Sequence, residues 1–109
     1  MSLGIARNPC ADSISVETSG PEQILVKGAL TFRTALRASI AGEQCLDALS
    51  APSIQIDCRS ITGADSAGLA VLIEWIAHAR RAGRALHFAN LPPAILAVAA
   101  ISEVENILV

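Results

Sequence analysis

The sequence has few aromatic residues and no excess of positive charge. Aromatic side chains make up 3% of the 109 residues, tyrosine is absent, and eight Lys and Arg stand against ten Asp and Glu. Proteins that bind nucleic acid need a basic surface for the phosphates, and those that bind single strands add aromatic side chains on which bases stack. The composition therefore excludes nucleic acid as the expected partner.

Long apolar runs are missing as well. The longest apolar stretches, 69–76 and 91–101, are interrupted by Glu74 and by Pro92 and Pro93, and neither reaches the roughly 20 residues that a membrane-spanning helix needs. Residues 1–11 contain no apolar run after a basic segment, so they do not resemble a signal peptide. We expect a cytoplasmic protein without direct membrane insertion.

Cysteine and histidine are too sparse to indicate a metal or disulfide framework. Cys10, Cys45 and Cys58 are widely spaced, with no Cys-x-x-Cys pair, and the two histidines, His78 and His87, show no ligand spacing to them. No glycine-rich phosphate loop of either common type occurs. We therefore expect reduced cysteines, no metal and no cofactor.

The length and the 52% apolar content suit a single hydrophobic core. We expect one domain over 12–109 behind a flexible N-terminus of residues 1–11. Alternation of apolar and polar residues predicts strands, and apolar residues at helical spacing predict helices. The predicted strands are 12–18, 23–27, 53–58 and 84–89, and the predicted helices are 32–49, 66–81 and 93–101. The order β-β-α-β-α-β-α indicates an α/β fold.

The first predicted helix depends on five apolar residues at near-helical spacing, with Thr31 before them as a plausible N-cap. They are Phe32, Leu36, Ile40, Leu46 and Leu49. The second helix follows a predicted strand that ends near Asp57 and a predicted loop over 59–64. Functional sites of open α/β sheets are common at such strand ends.

Asp65 and Ser66 begin the second helix, and three interpretations of this pair are open. The simplest is that they cap the helix, for which one of them suffices. A serine nucleophile would need a histidine base, and Ala64-Asp65-Ser66-Ala67-Gly68 lacks the first glycine of a nucleophile elbow. In the third, Ser66 is a functional hydroxyl, because a helix N-terminus favours a hydroxyl or a phosphate.

The second helix has two distinct faces. One face is strongly apolar and is predicted to be buried: it contains Leu69, Leu72, Ile73, Trp75, Ile76 and Ala79. The other carries small residues where a solvated helix usually has Lys and Glu, and we predict that it binds a partner protein. The predicted interface residues are Ser66, Ala67, Ala70, Val71, Glu74, Ala77, His78 and Arg81.

The run from Ile56 to Leu69 resembles the signature of STAS domains, the sulfate-transporter and anti-sigma-factor-antagonist family. The motif residues are Asp57, Asp65, Ser66, Gly68 and Leu69. The resemblance implies a single domain with a mixed sheet covered by helices mainly on one side. It also implies that Ser66 occupies the position of the family's regulatory hydroxyl.

Within this family, residues 67–75 are most similar to MlaB-type subunits of phospholipid-transport ABC systems. That resemblance implies a non-enzymatic protein that binds and regulates the ABC ATPase subunit, maintains outer-membrane lipid asymmetry, and is peripheral to the inner membrane through its partner. The alternative is an anti-sigma factor antagonist whose Ser66 is phosphorylated by a serine kinase partner.

Overall fold

The computed structural model describes residues 13–101, so the predicted flexible N-terminus at 1–11 lies outside the described part of the chain. The observed elements have the predicted order. The strands are β1 (Ile14–Gly20), β2 (Gln23–Leu30), β3 (Ser53–Ala64) and β4 (Ala85–Ala89), and the helices are α1 (Ala35–Ala48), α2 (Ser66–Arg81) and α3 (Pro93–Ile101).

The four strands form one mixed sheet in the order β1-β2-β3-β4. The hairpin pair β1 and β2 is antiparallel, whereas β3 pairs in parallel with β2 and with β4. Along β2 and β3, buried apolar residues such as Ile24, Val26, Ile54 and Ile56 alternate with more exposed ones such as Gln55. One face of the sheet is therefore covered by helices while the other is mostly open, as expected for this fold.

Strand β3 is twice as long as predicted, and this corrects the position of Asp57. The predicted loop over 59–64 is strand, because β2 extends to Leu30 and pairs with β3 as far as Ala64. Two register shifts within this pairing accommodate the polar stretch after Cys58. Asp57 consequently lies inside β3, opposite the end of β4 at Ala89.

Helix α1 begins at Ala35 with Thr34 at its N-cap position, rather than at Phe32 behind Thr31. Its buried residues recur every four positions, and the first two are small: Ala38, Gly42 and Leu46. A Cβ atom on Gly42 would lie 2.1 Å from the Trp75 ring, so only glycine lets α1 approach α2 this closely. Of the five large side chains that predicted the helix, Leu46 is fully buried, whereas Phe32, Leu36 and Ile40 are exposed.

Helix α2 has the predicted buried face. Trp75 and Leu72 are completely buried, and Leu69, Ile76 and Ala79 are nearly so, while Ile73 is half-buried. These side chains pack with the apolar residues of β2 and β3 in one core. At the far end of α2, Arg84 donates to the carbonyl oxygens of Leu46, Leu49 and Ala51. Its guanidinium therefore satisfies the C-terminal end of α1, while its backbone amide donates to the Ala79 carbonyl oxygen in the last turn of α2.

Candidate interaction surface around Ser66

Asp65 caps α2, which leaves the Ser66 hydroxyl unnecessary for that purpose. Asp65 has an extended backbone with φ of −134°, and its Oδ1 accepts from the Gly68 amide at 3.1 Å. This is the usual geometry of an aspartate N-cap. Ser66 is the first residue of the helix and is exposed. Its hydroxyl is therefore available at the positive end of the helix dipole.

Gly68 has a steric role in the first turn of α2. A Cβ atom at this position would lie 2.1 Å from the Leu30 carbonyl oxygen, far inside the usual contact distance. The glycine therefore allows the start of α2 to lie directly against the end of β2. The next residue, Leu69, is 4% exposed and anchors the helix in the core. The geometry of this start fixes where Ser66 emerges.

Three large apolar side chains on the α1 side of this site are exposed. Phe32 is 70% exposed, Leu36 76% and Ile40 51%. Phe32 lies in the turn before α1, and Leu36 and Ile40 are one helical turn apart on the same side of α1. Isolated apolar residues on a surface need no explanation, but a contiguous group marks an interaction site.

A shallow apolar groove of about 290 Å³ runs between α1 and α2 beside these residues. Its walls come from both helices: Ala35, Leu36 and Ser39 from α1, and Ala67, Ala70, Val71 and Glu74 from α2. We call the groove residues, together with Phe32, Ile40 and Ser66, the Ser66 surface. Small side chains form much of it, so the backbone of a partner could approach closely.

Polar contacts fix the relative position of the two helices at the groove. The Ser39 hydroxyl donates to Glu74 Oε1 at 3.2 Å, and the indole N–H of Trp75 donates to the Ser39 carbonyl oxygen at 3.4 Å. Further along, His78 Nε2 lies 2.8 Å from Asp47 Oδ1 of α1. His78 is half-buried and links the two helices through this contact.

The predicted interface residues of α2 divide by exposure. Ser66, Ala70, Glu74 and Arg81 are exposed, and Ala67, Ala77 and His78 are half-buried. Val71 is only 4% exposed, so its predicted place on the exposed face is wrong and it forms the floor of the groove. The reason is that α1 packs along this side of α2, which the periodicity of α2 alone does not reveal.

Asp57 is not part of this surface. It lies seven positions before Ala64 on β3, a distance of roughly 23 Å along an extended strand. Asp57 is 5% exposed, and its carboxylate accepts hydrogen bonds from the Arg59 amide, the Arg59 guanidinium and the Asn90 side chain. The Arg59 backbone bond is the main cause that lowers the pKa of Asp57.

The Asp57 contacts hold the turn that leads from β4 to α3. Asn90 has a left-handed backbone, with φ of 59°, and its side chain reaches Asp57 Oδ1 at 3.2 Å. Asparagine tolerates this conformation better than most residues. The sequence motif thus contains two separate parts, a structural one at Asp57 and the start of α2 at Asp65 and Ser66.

Comparison with known families decides the classification. A family model described as the MlaB-type STAS domain matches residues 14–109, which is most of the chain. The chain belongs to the STAS domain family. Among curated proteins, no sequence matches this STAS domain.

Solved structures that share the STAS fold of this chain include two of SpoIIAA. The anti-sigma factor antagonist SpoIIAA in its unphosphorylated form has a TM-score of 0.68 and 12% identity, with 89% of this chain and 86% of that chain covered. The phosphorylated form of the Bacillus cell fate determinant SpoIIAA has a TM-score of 0.64 and 12% identity, with 89% of each chain covered. At this identity the likeness establishes the fold.

Two further properties bear on what this STAS domain can do. Within residues 13–101, no three His, Cys, Asp or Glu side chains are grouped so that they could hold a metal ion. Over the same part of the chain, no helix has the length and apolar character needed to cross a bilayer.

Sequence reasoning missed the contribution of α1 to the Ser66 surface. In the sequence, Phe32, Leu36 and Ile40 indicate only a helix. A usable signal for their exposure was the second stripe of small residues, Ala38 and Gly42, at the same spacing. A helix that buries such a stripe must turn its larger neighbours toward solvent.

Proposed function

We propose that this chain is a non-enzymatic subunit of an Mla-type phospholipid-transport ABC system, and that it binds the ATPase subunit through the Ser66 surface. The observation that carries the proposal is the exposure of Phe32, Leu36 and Ile40 together with the apolar groove that Leu36 lines beside Ser66. The MlaB-type family match supports the choice of partner. STAS domains are generally regulatory modules that act by binding other proteins.

The energetics of the surface favour a protein partner. Fully burying a large apolar side chain contributes about 1.5–3 kcal/mol, and Phe32, Leu36 and Ile40 each expose at least half of theirs. Three such side chains can offset a substantial part of the cost of association. The surrounding small residues add shape complementarity without the loss of side-chain entropy that long residues incur.

In this role the domain would stabilise or regulate the ATPase and so help to maintain the lipid asymmetry of the outer membrane. It would act from the cytoplasm and reach the inner membrane only through its partner. Ser66 would be a contact residue at one end of the interface, next to the Asp65 cap. The proposal needs no catalytic group and no cofactor on this chain.

The first test compares Ser66→Asp with Ser66→Thr in titrations with the purified ATPase subunit. A helix N-terminus tolerates an added anion, so both variants should fold. The aspartate would bring a second charge beside Asp65 and bury it against the partner, which costs desolvation and repulsion. We expect Ser66→Asp to bind more weakly than Ser66→Thr. Equal affinities for both variants and the wild type would remove Ser66 from the interface.

The second candidate is an anti-sigma factor antagonist switched by phosphorylation of Ser66. Its specific support is the fold shared with SpoIIAA, which has been solved in unphosphorylated and phosphorylated forms, together with the exposure of Ser66 at a helix N-terminus. Purification from the native host with identification of the partner separates the two. The ATPase subunit supports the first proposal, and an anti-sigma factor serine kinase supports the second.

A further inference from the structure

The Asp65 carboxylate makes a second contact that capping does not require. Oδ1 accepts from the Gly68 amide at 3.1 Å and forms the cap, whereas Oδ2 accepts from the Phe32 amide, also at 3.1 Å. Phe32 is 33 positions away in the sequence. A single side chain therefore joins the start of α2 to the turn before α1.

Hydrogen bonds hold the backbone of that turn, and the guanidinium carbon of the exposed Arg33 lies 5.6 Å from the centroid of the Phe32 ring. The Thr34 amide donates to the Thr31 carbonyl oxygen at 3.0 Å, and the Thr34 hydroxyl donates to the Ala29 carbonyl oxygen at 2.7 Å. Thr34 is 1% exposed and anchors one end of the turn. Phe32 is 70% exposed, so apolar packing does not fix the part of the turn that carries it.

The backbone bond to Asp65 thus links this exposed part of the turn to α2. Asp65 is itself held in place, because its amide donates to the Leu30 carbonyl oxygen at 3.3 Å and its Oδ1 is fixed by the cap. A group ordered before association loses less entropy when the partner binds. Exposed aromatic anchors held in this way are typical centres of binding energy.

We infer that Asp65 is a positioning residue of the interface: its second carboxylate oxygen holds the turn that presents Phe32 to the partner. This inference rests on the proposed function, since it assumes that Phe32 is buried by the ATPase subunit. Asp65 would not itself touch the partner. Its effect on affinity would pass through Phe32, and that dependence can be measured.

Asp65→Ser and Asp65→Asn separate the two roles of the side chain. Serine and asparagine are both good N-caps, but each offers only one oxygen acceptor, which the cap uses. In the free domain, amide hydrogen exchange followed by NMR should show Phe32 exchanging about fivefold faster in both variants while Gly68 stays protected. Thermal melts confirm that the variants are folded.

Binding is then measured by calorimetric titration with the purified ATPase subunit in a double-mutant cycle. We expect Phe32→Ala to weaken binding about tenfold, and Asp65→Ser to weaken it about fivefold. Because Asp65 acts through Phe32, the double variant should bind no more weakly than Phe32→Ala alone.

The possible failures are distinguishable. Wild-type affinity in Phe32→Ala would contradict the proposed interface itself. Reduced affinity in Phe32→Ala with unchanged affinity in Asp65→Ser and Asp65→Asn would overturn the positioning role alone. Loss of Gly68 protection in both variants would also overturn it, since the effect would then be that of the helix cap. Additive losses in the double variant would show that Asp65 acts independently of Phe32 and would refute the inference.

Discussion

Replacing Gly68 by alanine tests the geometry that places Ser66. The new Cβ would lie 2.1 Å from the Leu30 carbonyl oxygen and 3.0 Å from Leu30 Cγ, so the start of α2 must move away from β2. Overpacking of this kind costs about 1–3 kcal/mol, and loss of the hydrogen bond from the Asp65 amide to the same carbonyl costs about 1 kcal/mol more. The higher helix propensity of alanine returns at most about 1 kcal/mol.

The expected net loss is about 2 kcal/mol of unfolding free energy, which lowers the melting temperature of a domain this small by about 10 °C. Thermal and urea unfolding followed by circular dichroism measure it. Gly63→Ala is the matched control, because a Cβ at Gly63 meets no atom within 4 Å and should change stability by less than about 0.5 kcal/mol. Wild-type stability in Gly68→Ala would refute the close approach of α2 to β2.

Three further predictions concern the two faces of α2, Asp57 and Cys58. Leu72→Ala, at a fully buried position, should lower the unfolding free energy by about 2–5 kcal/mol. Ala70→Arg, on the exposed face of α2, should melt like the wild type but bind the ATPase subunit more weakly. Early melting of Ala70→Arg with normal binding would mean that the faces of α2 are inverted. Hydrogen bonds lower the pKa of Asp57 in the folded protein, so the contribution of Asp57 to stability is present above about pH 4 and is lost as the pH falls through the folded pKa. In urea unfolding, the difference in stability between wild type and Asp57→Asn should therefore shrink between about pH 5 and pH 2. A constant difference would contradict this. Burial raises the pKa of Cys58 to about 12, so site-resolved mass spectrometry should find it unalkylated by iodoacetamide at neutral pH until denaturant is added, and later than Cys45; rapid alkylation of native Cys58 would contradict its burial.

The order of elements was predictable because its signals are local. The apolar alternation of β2, the apolar run at the start of β3 and the helical period of α2 can each be recognised within a short window. Asp65 as the N-cap of α2 was predictable for the same reason, and the side-chain bond to Gly68 confirms it. The buried face of α2 followed from the spacing of its large apolar residues.

The features that the sequence did not predict depend on contacts between distant parts of the chain. Hydrophobic spacing weights large side chains, yet α1 buries Ala38 and Gly42, and the Trp75 ring of α2 lies directly against Gly42. Leu36 is consequently exposed. No pattern within α1 reveals the position of Trp75, so the segment alone offers two stripes, one of large and one of small residues, and does not decide which of them is buried.

The length of β3 and the second contact of Asp65 were not predicted, for a similar reason. Arg59, Ser60 and Thr62 make this segment resemble a loop, but pairing with the second half of β2 keeps it in the sheet. The bond from the Phe32 amide to Asp65 joins positions 33 residues apart. Both depend on which segments become neighbours once the sheet has formed, information that composition and local spacing do not contain.

Titration of Leu36→Arg with the purified ATPase subunit tests the central claim most directly. Leu36 is 76% exposed, so the substitution should leave the fold intact while placing a charge in the middle of the Ser66 surface. Gln55→Arg, on the open face of the sheet, is the matched control. The account predicts at least about tenfold weaker binding for Leu36→Arg and unchanged binding for Gln55→Arg. Wild-type affinity in Leu36→Arg would contradict it.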